Sequence, residues 1–482
     1  MIDTRVNLLK KRRTKIVATL GPATDSPKSI RQLIRAGVNI FRLNMSHGDH
    51  ETHREAFNNI RSIANEMNET VAILGDLCGP KIRTGKFRDG QIELVKDTEV
   101  TLTTRDVPGE EGLIPSQYPG LAQDVSNGNR ILIDDGALEL EVLSVADTEI
   151  RCYVKVGGTL KEQKGINLPG VTITAPSLTE KDMKDAFFLL DLGVDFIALS
   201  FIRTAVDLKP LKQLIRAHHR TTRMIAKIEK PEALKNATQI IKAADGIMVA
   251  RGDLGLELQP EEVPVAQSQL IELARAWFKP VIVATQMLES MIENARPTRA
   301  EVTDISYAVT LGTDAVMLSA ETAVGAYPLE SVRIMDRIVR QTEAHLWKTG
   351  AYDNFRSGNR SDQRNIWGAV SNVSAQFAME LKVRGILVIS KSGMSAATIS
   401  SARPSAPVIG ITSSAESGRR MALYWGVIPV LSKAAGEINP NDLAKQMAQD
   451  LQLADKGDLI LLARGFHSNP QKNTPSITVL MI

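Results

Sequence analysis

The sequence predicts an α/β protein built on a (βα)8 TIM barrel, with an all-β segment inserted into the barrel and a separate α/β unit after it. Three observations lead there. Eight short apolar runs alternate with helical patterns, the alternation breaks once into a period of two, and it resumes beyond a polar linker. At 482 residues the chain exceeds what one core serves, so about three domains are expected on size alone.

The eight runs lie at residues 15–19, 40–44, 71–75, 195–200, 224–228, 246–250, 281–285 and 315–318. They are almost continuously apolar, as in strands covered on both faces, and amphipathic stretches such as 29–36, 50–66 and 264–277 supply the covering helices. Eight such units close a barrel. Between the third and fourth runs, residues 91–104 and 130–156 alternate apolar and polar side chains with Gly and Asp at the turns, the pattern of half-buried antiparallel strands. An insertion there sits on the C-terminal face, where barrel active sites lie, and reads as a lid rather than decoration. A third unit has strand patterns near 385–390, 408–412, 427–431, 458–463 and 476–481, after a linker at 350–364. The expected division is 1–80 for the first part of the barrel with a short arm, 81–176 for the insert, 177–348 for the rest of the barrel and 349–482 for the third unit.

Charge and composition narrow the function. With 58 Lys+Arg against 55 Asp+Glu, the net charge of +3 creates no field that would select nucleic acid or an anionic membrane. The basic run of Lys10, Lys11, Arg12 and Arg13 with Lys15 reads as a solvated arm. Cys78 and Cys152 make no disulfide framework, no stretch reaches the ~18 apolar residues of a membrane span, and no signal-peptide core opens the chain. A cytoplasmic protein is expected.

In a barrel, the polar residues closing the strands converge on one mouth. Here they are Thr19; Arg42 with Asn44 and Ser46; Asp76; Ser200; Lys227 with Glu229; Arg251 with Asp253; Thr285; and Ser319 with Glu321. Glu229 and Asp253 close adjacent strands and offer oxygen to a hard cation, while Arg42, Lys227 and Arg83 surround a phosphate. Two residues apart on a strand, Lys227 and Glu229 share one face. That set suits phosphoryl transfer. His47, His50 and His53 read as an exposed helix start rather than a zinc site. In the third unit, Ser390, Lys391, Ser392, Gly393 and Ser395 form a Ser/Gly turn entering a helix, suited to a phosphate or equally to an ordinary serine cap.

Long segments around these residues resemble the pyruvate kinase family: TKIVATLGPAT from Thr14, FRLNMSHG from Phe41, GPKIRTG from Gly79, KGINLPG from Lys164, SFIR from Ser200, AKIEKPE from Ala226, MVARGDLG from Met248, ATQMLESM from Ala284, PTRAEV from Pro297 and MLSAETAVGAYP from Met317. The resemblance implies transfer of the phosphoryl group of phosphoenolpyruvate to ADP, giving pyruvate and ATP in the last step of glycolysis. It also implies a C-terminal regulatory domain and a homotetramer. Lys227 would stabilise the transferring group, Arg42 would grip the phosphate, and Gly252, Asp253 and Thr285 would complete the phosphoenolpyruvate site, with Thr285 near the methylene carbon. Glu229 and Asp253 would hold Mg2+ or Mn2+. Arg83, Lys164, His47 and Pro22 would meet the nucleotide, and the Ser390–Ser395 loop a sugar-phosphate or nucleotide effector. A lyase or phosphomutase barrel would not need the nucleotide residues, and a silent metabolite sensor would not keep Lys227, Glu229, Asp253 and Thr285.

One departure concerns potassium. Where K+-dependent relatives read Thr-Lys-Gly-Pro-Glu, this chain reads Leu77-Cys78-Gly79-Pro80-Lys81. The Lys81 ammonium would then serve a pocket of Asn44, Ser46, Asp76 and the Leu77 carbonyl, and K+ would not be required.

Overall fold

Strands buried on both faces need two cores, and the barrel supplies them. In the computed structural model, which describes residues 12–355, 366–467 and 469–482, eight parallel strands close in sequence order. They are Lys15–Thr19, Ile40–Asn44, Ala72–Asp76, Phe196–Leu199, Arg223–Ile228, Gly246–Ala250, Val281–Ala284 and Ala315–Leu318. Val17, Ile40, Leu74, Phe196, Met248 and Ile282 fill the interior, while their neighbours Ile16, Phe41, Ile73, Ile197 and Val283 pack outward on the helices. The period of two is thus present, but both faces are dry.

The chain leaves the barrel after Asp76 and returns at the helix Glu180–Leu192. Gly79 makes the exit turn at φ +70, where an added Cβ would stand 2.8 Å from Phe201 and 2.9 Å from Ser200. Its N–H donates to Asp182 Oδ1 at 3.0 Å, on the returning helix, so the two ends of the insert are tied together. Asp182 also closes a capping box with Thr179. The insert holds a six-stranded sheet and a two-stranded one, and its strands alternate as expected: along Gln91–Leu94, Ile92 and Leu94 are buried and the other two exposed.

The third unit is a five-stranded sheet, parallel except for its last strand, Ser476–Met481. It docks on the N-terminal end of the barrel, and its apolar core is continuous with the barrel interior. Buried charges make the joint. Arg403, 1% exposed, donates to Asp314 Oδ2 at 2.9 Å, and Asp314 Oδ1 accepts from Trp425 N at 3.0 Å. Arg419 reaches Asp195, which also accepts from Arg61 and from Ile73 N.

The same end corrects the reading of the basic run. Lys10 and Lys11, like Ser468 and the linker from 356 to 364, lie outside the described residues, but Arg12 and Lys15 are buried and Arg13 is half-buried. Arg12 donates to Asp336, Asn39 and the Gly37 carbonyl, and Lys15 Nζ to the Val427 carbonyl at 2.7 Å. Cations are buried when each finds acceptors, and those acceptors lie 25 to 412 residues away, invisible in a local run. We expect Asp314→Ala, which strands a buried guanidinium, to destabilise the protein by about 3–5 kcal/mol. An unchanged denaturant midpoint would remove Asp314 from the joint.

Candidate functional site

The C-terminal mouth of the barrel gathers charge that the strands cannot avoid placing together. Arg42 Nε donates to Asp76 Oδ2 at 2.7 Å, and its Nη1 to Thr19 Oγ1 at 3.2 Å. Lys227 Nζ lies 2.9 Å from Glu229 Oε1 and 3.5 Å from Asp76 Oδ1, and donates to Ser200 Oγ at 2.7 Å. Ser200 donates its own proton to the Leu77 carbonyl at 2.8 Å. Glu229 Oε2 accepts from Phe201 N at 2.6 Å.

Burial sets the protonation states. Burial alone would lower the Lys227 pKa, but Asp76 and Glu229 outweigh it and push it up, so the ammonium stays charged. Asp76 is 1% exposed, and Lys227 and Arg42 overcome its desolvation and hold it below the usual carboxylate range. Glu229 is fully buried, and desolvation raises it in spite of Lys227, with Asp253 adding to the rise. Three carboxylates, Asp76, Glu229 and Asp253, therefore face two cations. Asp76 Oδ1 and Glu229 Oε1 make ion-pair contacts without an aligned hydrogen bond. Such a donor set fits a hard divalent cation, which would supply the missing positive charge to oxygen ligands. Glu229 and Asp253 would hold it.

Beside this cluster, Thr285 follows its strand at φ +66, a left-handed position for a β-branched residue. Its Oγ1 donates to the Ala284 carbonyl and accepts from Gly252 N, both at 2.7 Å. An added Cβ on Gly252 would come 3.4 Å from that oxygen, so the backbone approaches closely.

Two strand-end residues do not face the mouth. Arg251 is drawn outward by Asp304, both of whose oxygens lie 2.6 Å from Nη1, and braces the Thr285 carbonyl at 2.8 Å. Glu321 accepts from Leu288 N and Ser319 N. Both support the wall, because nearby backbone donors and acceptors compete for them. The Phe201 N–H, which grips Glu229, has no signature in the sequence, since a backbone donor looks the same at every residue.

The remaining candidates lie around the rim. Arg83 donates to the Gln163 carbonyl at 3.0 Å, Lys164 pairs with Asp134 at 2.8 Å, and Pro22 and His47 are exposed. Lys81 is exposed, its Cε 3.4 Å from where a Cβ on Gly165 would stand, and its charge acts on His47. Asn44 Oδ1 accepts from Ser46 N at 3.3 Å. His50 pairs with Asp185 and stacks on Phe188, whereas His53, buried rather than exposed as the sequence suggests, bonds the His47 carbonyl, so these two imidazoles have separate partners. In the third unit, Ser390 Oγ accepts from Gly393 N at 3.1 Å and Ser395 N at 3.3 Å, and the Ser417 hydroxyl donates to the Lys391 carbonyl. Ser390 thus caps the turn internally, while Lys391 and Ser392 remain exposed.

Residues 11–332 match the family model of the pyruvate kinase barrel domain, and residues 368–480 that of the pyruvate kinase alpha/beta domain. The chain is 43% identical over 476 residues to pyruvate kinase 2 of Synechocystis sp., covering 98% of this chain and 79% of the relative. It is 44% identical over 462 residues to the pyruvate kinase of Geobacillus stearothermophilus, covering 94% and 78%. The crystal structure of a pyruvate kinase from Cryptosporidium parvum superposes with a TM-score of 0.89 at 35% identity, covering 98% of this chain and 97% of that one.

Partial burial, and then the charges of Arg83, Lys81 and Arg42, hold the His47 imidazole below its ordinary value. A neighbouring cation opposes protonation, so Arg83→Ala should raise the His47 midpoint in a titration of labelled histidines by NMR. An unmoved midpoint would separate Arg83 from His47.

Proposed function

This chain belongs to the pyruvate kinase family, and from that premise we propose how its own residues divide the reaction. It is a phosphotransferase, and the family implies phosphoenolpyruvate, ADP or ATP, and pyruvate as substrates. Pyruvate kinases generally use Mg2+.

The observation that carries the residue-level reading is the Lys227 ammonium, charged and set among Glu229, Asp76 and Ser200 at the barrel mouth. Arg42 grips the phosphate of phosphoenolpyruvate, and Lys227 meets the oxygens of the phosphoryl group in flight. The bond from phosphorus to the enol oxygen breaks as one to the terminal oxygen of ADP forms, and the electron pair remains on the enolate. A divalent ion held by Glu229 and Asp253, Mg2+ or Mn2+, supplies charge neutralisation to the phosphoryl and enolate oxygens when bound. The Gly252 backbone and Thr285 complete the site, and Thr285 lies toward the methylene carbon that takes up a proton. Arg83, Lys164, His47 and Pro22 line the approach of the nucleotide phosphates, and Arg83 and Lys164 come inward when the insert closes over the mouth and excludes water.

The same reading has the chain working in the cytoplasm, at the last step of glycolysis, as a homotetramer regulated by a phosphorylated metabolite at the Ser390–Ser395 loop. It also makes K+ dispensable. Asp76 already has two cations, Arg42 and Lys227, and the Leu77 carbonyl and Asn44 Oδ1 already accept hydrogen bonds. Lys81 does not touch Asp76 in this arrangement, so its ammonium would join the pocket only when the insert closes.

Lys227→Met should lower kcat by about 10²–10³ or more in a lactate-dehydrogenase-coupled assay. Glu229→Gln should weaken Mn2+ binding measured directly by titration. Rates in K+-free buffer should stay within about tenfold of those with K+, roughly the worth of one modest charge contact. A loss of several orders of magnitude would sink the role given to Lys81.

A further inference from the structure

Away from the mouth, a group of cations lines a cavity of about 820 Å³ between the barrel and the third unit. Its walls come from the end of the helix Pro328–Lys348, the end of the helix Ile366–Glu380, the turn at Ser405–Pro407 and the segment ahead of the first strand at Arg12 and Arg13. That volume is typical of small-molecule sites.

Six cations face it, Arg12, Arg13, Arg340, Lys348, Lys382 and Arg384, and Glu343 is the one lining carboxylate among the described residues. Asp336 is shared by Arg12 and Arg340, and Asp458 pairs with Arg384. With Glu343, three carboxylates among the described residues answer six cations. The Glu343 oxygens are already taken by the main-chain N–H groups of Arg13, at 2.9 Å, and Thr14, at 2.7 Å. The half-buried Arg13 guanidinium makes a single hydrogen bond among the described residues, to the Ser405 carbonyl at 3.0 Å, and burial lowers its pKa despite Glu343. Four of its five N–H donors therefore have no acceptor among the described residues. Lys348 and Lys382 make no ion pair among the described residues. Lys348 closes its helix and Lys382 lies two residues past the end of the other, where a cation is favourable, but that does not account for the Arg13 guanidinium lining the same cavity.

Much of the remaining lining is apolar: Trp347, Met379, Val383 and Pro407, with Tyr352 edge-on to Trp347 at 6.4 Å between ring centroids. A bare anion would use the cations and leave this surface wet. We propose that the cavity binds an organic phosphate with a flat aromatic body, of nucleoside monophosphate size. Its phosphate is taken by Arg13, Lys348 and Lys382, and its ring lies against Trp347 and Met379. This site is separate from the Ser390 loop, and it does not rest on the catalytic assignments.

The test is calorimetric titration of the full chain with AMP as the aromatic phosphate and with inorganic phosphate as the charge alone. AMP should bind more tightly than inorganic phosphate. Lys348→Glu with Lys382→Glu, both exposed, should weaken AMP by about tenfold or more, the scale of lost charge-assisted contacts. Lys391→Glu with Ser392→Asp should leave that binding in place. The proposal is overturned if AMP shows no binding, if the first double variant binds it as wild type does, if the loop variant abolishes it, or if inorganic phosphate binds as tightly. Should the first variant fail to fold, Trp347→Ala, also at an exposed side chain, is titrated with AMP in its place. The same weakening is expected of it, and wild-type affinity there would equally overturn the proposal.

Discussion

A buried carboxylate is costly to a fold unless it is compensated, and the barrel mouth holds two, Asp76 and Glu229, within reach of one ammonium. Lys227 cannot satisfy both at full strength. It sits 2.9 Å from one and 3.5 Å from the other, and Arg42 takes the far side of Asp76. Much of the neighbouring geometry serves this arrangement: the left-handed Phe201 that turns its N–H onto Glu229, the Ser200 hydroxyl that accepts from Lys227, and the strand register that sets Lys227 beside Met248 and Asp76 beside Ala198. On the function proposed above, a cluster short of positive charge receives a cation and a phosphate together, rather than being most stable alone.

The opposite end of the barrel solves the converse problem. Asp195 and Asp314 precede strands and are nearly inaccessible, and each receives an arginine from the third unit together with backbone N–H groups. These carboxylates are saturated, so this end is a joint, whereas the mouth keeps carboxylate oxygens without an aligned donor. The contrast shows why similar acid–base pairs carry different meanings at the two ends of the same strands: what separates them is the number of oxygens left without a donor.

Much of this is legible in the sequence. Eight apolar runs yield eight strands, and the two-residue spacing of Lys227 and Glu229 puts both on one face because strands have no other choice. The failures share a cause. Arg12 and Lys15 look solvated, and Arg251 looks like a member of the mouth, because their partners, Asp336, Val427 and Asp304, are distant in sequence. Lys81 is visible as a change of charge, yet its exposed position beside Gly165 follows from how the insert is seated, which no local pattern records. The Phe201 amide is silent for a different reason, being backbone.

The insert has a consequence for how the chain reaches this state. Strands Ala72–Asp76 and Phe196–Leu199 are hydrogen-bonded neighbours, yet the whole insert lies between them, and Lys15–Thr19 must wait for Ala315–Leu318 before the ring is complete. In equilibrium terms the detour is cheap, since doubling a loop costs about 0.6 kcal/mol. In time it is not, because a nascent barrel exposes two unpaired apolar edges until its last strand emerges. The tie between Gly79 and Asp182 spares the growing sheet a further break at the insert. Once the insert has collapsed on itself, its two ends emerge side by side, and the third and fourth strands meet as if they were joined by a short turn.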